Sequence, residues 1–278
     1  MITEQKIALI SGATDGIGKA TARKLLEAGW AVVIIGRSSL RCDTTVNELK
    51  VMTGNEKISA IVADLSLLGE TRKACLEFLE NNKRLDLLCL NANAISNERI
   101  ITSEGFEKNY ALGFLSRVFM TRKLQDVLEK TKGSQVLSVV GLNRVRPDFD
   151  DLTMQRGFSG SKGLGRWQWS VDLWSRKFNK LNSVPVNLYM PGLVKTKILA
   201  NEPQPMRALV KVLNLVMGIS VYKSAENIFT VMNDIAFNNR RGVLYSYKKI
   251  KHLPKLEMKP DDTERLWGIT ETMVNSYL

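Results

Sequence analysis

A regular alternation of short, wholly apolar runs with stretches of helical pattern is the feature that most restricts what this chain can fold into. KIALIS (6–11) leads into a helix reaching Ala28, AVVIIG (31–36) into a second helix, KISAIV (57–62) into a third, and LDLLCL (85–90) follows. Strands that are apolar at every residue, rather than at every second one, are buried on both faces. Strands alternating with helices build a parallel sheet with helical crossovers on both sides. The second half continues the order. A helical stretch from about Ser103 to Lys130 precedes QVLSVV (135–140), and another from about Gly157 to Leu181 precedes VPVNLYM (184–190). An amphipathic segment (205–217), a helix over 224–238, the strand-like GVLYSY (242–247) and a helix opened by DDTERLW complete the chain. No repeat, linker or low-complexity tract interrupts it. The expectation is one doubly wound α/β domain over residues 1–278, with a parallel seven-stranded sheet.

Composition narrows the function classes. With 44% hydrophobic and 24% charged residues, 278 residues can bury a sizeable core. The 40 Lys and Arg exceed the 28 acids by 12, but they are dispersed and interleaved with acids, so nucleic acid is not an expected partner. A basic rim around an anionic cofactor accounts for the excess, as does peripheral contact with an acidic membrane surface. The N-terminus lacks the pattern of a secretory leader, and the most apolar segment (208–221) is too short to span a bilayer and carries Lys211. Cytoplasmic residence is therefore expected. Cys42, Cys75 and Cys89 lack metal-ligand spacing, and His252 is the single histidine, so neither a metal site nor a Ser-His-Asp triad is expected.

Between the first strand and the first helix stands SGATDGIGKA, with Gly12, Gly16 and Gly18 separated by Ala13, Thr14, Asp15 and Ile17. Glycines at a strand-to-helix turn let backbone N–H groups and the helix N-terminus approach a pyrophosphate closely. After the second strand, where folds that prefer NAD place a carboxylate for the ribose 2′-hydroxyl, the chain has Gly36, Arg37 and Ser38. A guanidinium there suits the extra phosphate of NADP(H).

With these residues in place the sequence resembles the short-chain dehydrogenase/reductase family over nearly its whole length. It is closest in pattern to the retinol dehydrogenase and protochlorophyllide reductase branch. The resemblance implies that Asp64 and Leu65 in ADL (63–65) border the adenine, and that NANA (91–94) is the turn after the fourth strand. Asn91 and Ala92 would then lie beside the cofactor, with Asn93 holding a positive φ where glycine is usual. In FEKNYALGF (106–114) it implies that Asn109 supports a proton-relay water. In MPGLVKT (190–196) it implies that Pro191, Gly192, Val194 and Thr196 border the nicotinamide, with Leu193 toward the substrate. Residues 203–221 would form a lid over a small hydrophobic substrate.

The departures from the family pattern decide the chemistry. In FSGSK (158–162) the family's lysine is kept as Lys162, but Phe158 stands where it has its catalytic tyrosine. In QVLSVVG, Gly141 stands where it has its serine. General acid–base help is worth roughly 10²–10⁴ in rate and one oxyanion donor roughly 10²–10³, so ordinary alcohol–ketone turnover would be slow. Three readings follow. The first is an atypical NADP(H)-dependent oxidoreductase acting on a C=N or an activated C=C, protonated by water near Lys162 and Asn109 or by a group such as Asn143 or Arg144 after Gly141. The second is a non-catalytic NADP(H)-binding protein or partner subunit. The third is a redox-neutral cyclase or isomerase. Phe158 and Leu193 join Asn143 and Arg144 as substrate contacts. Trp167, Trp169 and Trp174, on the helix after Phe158, serve equally as core or as the face of a homo-oligomer.

Overall fold

The computed structural model describes residues 5–94, 96–194, 218–251 and 256–278. Within them an eight-stranded sheet has the order β3-β2-β1-β4-β5-β6-β7-β8. The strands are β1 (Ile7–Ser11), β2 (Ala31–Gly36), β3 (Ile58–Val62), β4 (Leu87–Leu90), β5 (Gln135–Val139), β6 (Val186–Met190), β7 (Leu244–Ser246) and β8 (Lys249–Lys251). The first seven are parallel, as the alternation required. The eighth departs from the expected count, because a turn after β7 returns Lys249–Lys251 antiparallel along the edge.

Helices α1 (Gly16–Glu27), α2 (Ser39–Thr53) and α3 (Leu68–Asn81) fill the first three crossovers. The next stretch begins later than its pattern suggests, because the Glu107 carboxylate accepts the backbone N–H groups of Asn109 and Tyr110 at 2.9 and 3.0 Å and so caps the helix there. This helix, α4, runs from Lys108–Tyr110 through a π-turn at Ala111–Leu115 into Ser116–Lys123, and α5 (Gln125–Lys130) follows a break at Leu124. Then come α6 (Gly160–Leu181), capped by Ser159, α7 (Val221–Asn238), capped by Ser220, and α8 (Asp262–Asn275).

Successive strand residues enter opposite cores. Leu9, Val33, Leu88 and Leu188 face the layer of α3, α4 and α6, whereas Ile10, Ile34, Cys89 and Tyr189 face that of α1 and α7. Trp167, Trp169 and Trp174 are all buried within this chain. Trp174 stacks on Trp267 of α8, so these rings belong to the core and offer no open face to a second copy.

Cys42, Cys75 and Cys89 are free and buried. Burial pushes the Cys75 thiol from its ordinary 9.0 up to about 12, against the weaker pull of Lys123. A thiol that stays protonated only in the fold contributes stability below about pH 9 that is lost as pH rises toward 12. By pH 10 the wild type should lose roughly 1 kcal/mol more than Cys75→Ala, relative to pH 8. Urea midpoints of the two proteins at both pH values measure this difference. Equal pH slopes would show that the thiol does not titrate with unfolding.

Candidate functional site

One cleft of about 760 Å³ runs along the carboxyl ends of β1, β2, β4 and β5, where the strand order reverses on either side of β1. Such a switch point is where doubly wound sheets bind their ligands. At one end lie Gly12, Thr14, Asp15, Gly16 and Ile17. Gly12 has φ +66°, and a Cβ on it would stand 2.7 Å from Ala92 Cα, so the turn requires glycine here. Gly18 packs behind the loop. The Ser11 hydroxyl accepts the backbone N–H groups of Asn91 and Ala92 at 3.0 and 3.1 Å, and Asn91 Nδ2 donates to the Gly12 carbonyl at 3.0 Å. Asp15 caps α1 by accepting the Gly16 N–H at 2.7 Å. The loop is thus held open at the N-terminus of α1, with its glycine-lined face toward the cleft. The residues present fit a dinucleotide pyrophosphate.

Arg37 and Ser38 line the end of β2, and Asp64 and Leu65 line the end of β3. Ser66 fixes Asp64 by donating N–H and O–H to one carboxylate oxygen at 2.9 and 2.7 Å. Arg41 joins Arg37 at this rim and pairs with Asp15 at 3.4 Å. The sequence reading missed Arg41. Its signal was available, since Arg41 lies in the first turn of α2, four residues beyond Arg37.

The other end is built from Asn93, Ala94, Lys108, Leu112, Val139, Val140, Gly141, Leu164, Trp167, Gln168 and the segment Pro191–Val194. Asn93 is not among the described residues with positive φ, so the turn closes without that strain. Ile219 N donates to the Leu193 carbonyl at 3.0 Å, which ties the start of α7 to the cleft edge. Thr196, residues 203–217 of the expected lid and His252 lie outside the described residues.

The expected catalytic positions do not converge here. Lys162 is exposed on α6 and is not part of the cleft wall, and its Nζ lies toward Gly157. Phe158 is also off the cleft. Its ring and the buried Asn109 amide approach Gly163 from the α4 side. Gly141 does line the cleft, but the space a side chain would take there is filled by Gln168. Asn143 donates to the Ser161 carbonyl at 2.8 Å. Arg144 sinks behind Gly141, bonding that residue's carbonyl at 2.7 Å and Asp172 at 3.3 Å. Burial pulls its guanidinium downward in pKa and Asp172 opposes the pull. Neither Asn143 nor Arg144 reaches the cleft wall. Among the proposed substrate contacts only Leu193 does.

Beneath the cleft, Arg117 of α4 donates to the carbonyls of Leu90, Ala92 and Val139 and to the Ser138 hydroxyl at 2.6–3.0 Å, clamping the ends of β4 and β5. Burial depresses its pKa to about 9. Its guanidinium also lies over the Trp167 ring, 4.9 Å from the centroid. That ring covers Gly113 in the π-turn of α4. Asp148, Asp150 and Asp151 pair with Arg156 and Arg265.

A glycine loop at the switch point of a seven-parallel-stranded sheet, with two guanidinium groups at the end of β2, defines a dinucleotide-binding α/β protein. The family model for short chain dehydrogenases matches residues 6–207, and the chain belongs to that family of oxidoreductases, in its retinol dehydrogenase-like branch. It is 28% identical to human retinol dehydrogenase 14 over 97% of this chain and 86% of that protein. It is 30% identical to mouse retinol dehydrogenase 12 over 71% and 64%. With human retinol dehydrogenase 13 it shares 26% identity over 69% of this chain, and the match spans 60% of that protein. Among solved structures, an alcohol dehydrogenase from Thermococcus sibiricus complexed with 5-hydroxy-NADP superposes with a TM-score of 0.68 at 22% identity, covering 92% of this chain and all of that one. A Sphingobium yanoikuyae short-chain dehydrogenase in complex with NADPH gives 0.65 at 19%, covering 97% and 95%. No helix among the described residues is long and apolar enough to cross a membrane.

Proposed function

We propose that this protein binds NADP(H) and holds a small apolar ligand beside it, without running the alcohol–ketone proton transfer of its relatives. One observation carries the reading. The face that α6 turns to the cleft consists of Leu164, Trp167 and Gln168, none of which titrates in the working range, while Lys162 is exposed elsewhere. A bound nicotinamide supplies a hydride, whereas protons must come from the chain or from water. Gly12, Asn91 and the N-terminus of α1 would hold the pyrophosphate, Arg37 and Arg41 the 2′-phosphate, and Asp64 and Leu65 the adenine. Titration with NADPH and NADH by nicotinamide fluorescence tests this. Arg37→Ala should weaken NADPH about tenfold and leave NADH within about twofold, because only the former offers the guanidinium a phosphate. Failure of both nucleotides to bind would end the proposal, and equal weakening of both by Arg37→Ala would end the assignment to NADP(H).

A second reading, reduction of a C=N or an activated C=C, draws on Lys108. This residue lines the apolar end of the cleft and has no ion-pair partner among the described residues. An unpaired ammonium there is a source of protons. On this reading, purified protein consumes NADPH with cyclic imines or conjugated enones, and Lys108→Met slows consumption.

A further inference from the structure

We infer that Gln168 receives the oxygen of the ligand: its carboxamide Nε2 is a hydrogen-bond donor for the carbonyl of an apolar ketone or enone bound against Gly141. The inference shares its cleft with the function proposed above and rests on that cleft admitting a ligand.

Gln168 is 1% exposed in the middle of α6, between Trp167 and Trp169. A buried amide is costly unless its polar atoms are bonded. Its oxygen is bonded, since Arg144 Nη1 donates to Oε1 at 3.0 Å. A guanidinium has donors only, so the atom facing it must be the oxygen, and flipping the amide would set two donors against each other. Arg144 cannot turn away, because its Nε is paired with the fully buried Asp172 and Nη1 also donates to the carbonyls of Gly141 and Asn143 at 2.7 and 3.1 Å. The amide is therefore locked, and Nε2 is the end left over. Nε2 is itself buried and, among the described residues, has no hydrogen-bond partner, at a residue that borders the cleft. The charge at Oε1 polarises the amide and makes Nε2 a stronger donor than a neutral carboxamide in water.

Gly141 completes the arrangement. A Cβ there would stand 2.8 Å from Oε1 and 3.2 Å from Nε2, so the amide occupies the room of the missing side chain. The end of β5 and the middle of α6 thus offer one rigid donor that has no acidic proton to give. Nε2 can bind and polarise an oxygen but cannot protonate it. The nearby cleft residues Leu112, Leu164, Trp167 and Leu193 are apolar. Lys108 in the cleft wall and Arg144 behind it repel a cationic ligand. The matching chemistry is an uncharged acceptor oxygen on an apolar frame.

The test is isothermal titration of the wild type, free and saturated with NADP⁺, with cyclohex-2-enone, benzylideneacetone and chalcone, and with the same carbon frames lacking oxygen. At least one ketone should bind saturably and about fivefold or more tighter than its hydrocarbon. That preference should vanish in Gln168→Met. Gln168→Glu keeps an oxygen for Arg144 while deleting the donor, and should lose the preference too, which covers the case in which the Met variant does not fold. In the wild type itself, the Gln168 side-chain amide proton should move downfield in ¹H–¹⁵N spectra as ketone is added. Absence of ketone binding, a preference that survives in both variants, or an unmoved amide resonance each overturns the inference. Nucleotide titrations on the same samples keep the two proposals apart. Loss of NADP(H) binding alone sinks the nucleotide reading, and the ketone titration of the free protein still decides this one.

Discussion

Adding a single methyl group at Gly113 should destabilise the protein by about 2–3 kcal/mol, the range of a core forced to accept an atom it has no room for. An ideal Cβ on Gly113 would lie 2.5 Å from both Cγ and Cδ2 of Trp167 and 2.9 Å from Cδ1. These are ring atoms bonded close to the α6 backbone, so no flexible end of a side chain can swing aside. The ring is 1% exposed and is backed by the Arg117 guanidinium, itself fixed by four acceptors. Trp167→Leu alone should also destabilise, by about 3 kcal/mol, through the cavity it opens. Together the two changes should cost less than their sum, because the cavity admits the methyl. Urea unfolding of the four proteins measures the coupling. Strict additivity would mean that the ring and the π-turn of α4 do not define each other's shape.

Gly18→Ala should abolish measurable NADPH binding, a loss of at least about 100-fold, while the chain still folds. The new Cβ would meet the Gly12 carbonyl oxygen at 2.5 Å, Asn91 Nδ2 at 2.6 Å and Ala13 Cα at 2.9 Å. Two of those three are backbone atoms of the phosphate loop, so the loop must move. Displacements of about 1 Å are enough to cost two orders of magnitude where binding depends on aligned donors. Gly268→Ala on α8 is the control. A Cβ there meets nothing within 4 Å, and alanine in a helix interior is about 1 kcal/mol better than glycine. Tight NADPH binding by Gly18→Ala would mean that the nucleotide does not use this loop.

The sheet was legible because a strand buried on both faces has to be apolar at consecutive positions, and KIALIS, AVVIIG and LDLLCL leave no other reading. The glycine loop was legible for a similar reason, since the geometry of the turn excludes larger residues. The wall opposite it was not. FSGSK fixes a spacing along the chain, but a helix presents residues by angle. Leu164 and Gln168 lie about 40° apart around α6, whereas Lys162 and Leu164 lie about 200° apart. Which arc meets the sheet depends on where Ser159 starts the helix and on how Trp167 seats against Gly113, and neither is written in five letters. Arg144 was read as a candidate substrate contact, and its buried pairing was hidden for the same reason. Its partner Asp172 lies 28 residues away, so the sequence shows a loop arginine where the fold has a buried ion pair. Gly141 was legible as a lost side chain, but the residue that takes its place comes from another element.

The eighth strand gives the outer margin of the sheet a particular character. β8 consists of Lys249, Ile250 and Lys251, all exposed, and lies beyond β7 with no further strand paired to its far side among the described residues. An open strand margin is a template on which a neighbouring molecule can add its own backbone. Here an arriving strand would meet two ammonium groups spaced one residue apart on a short, reversed ribbon, on a molecule that already carries a formal charge of +12. Pairing at this border would crowd like charges together, so the chain carries its own electrostatic guard against growing into a fibre from that side.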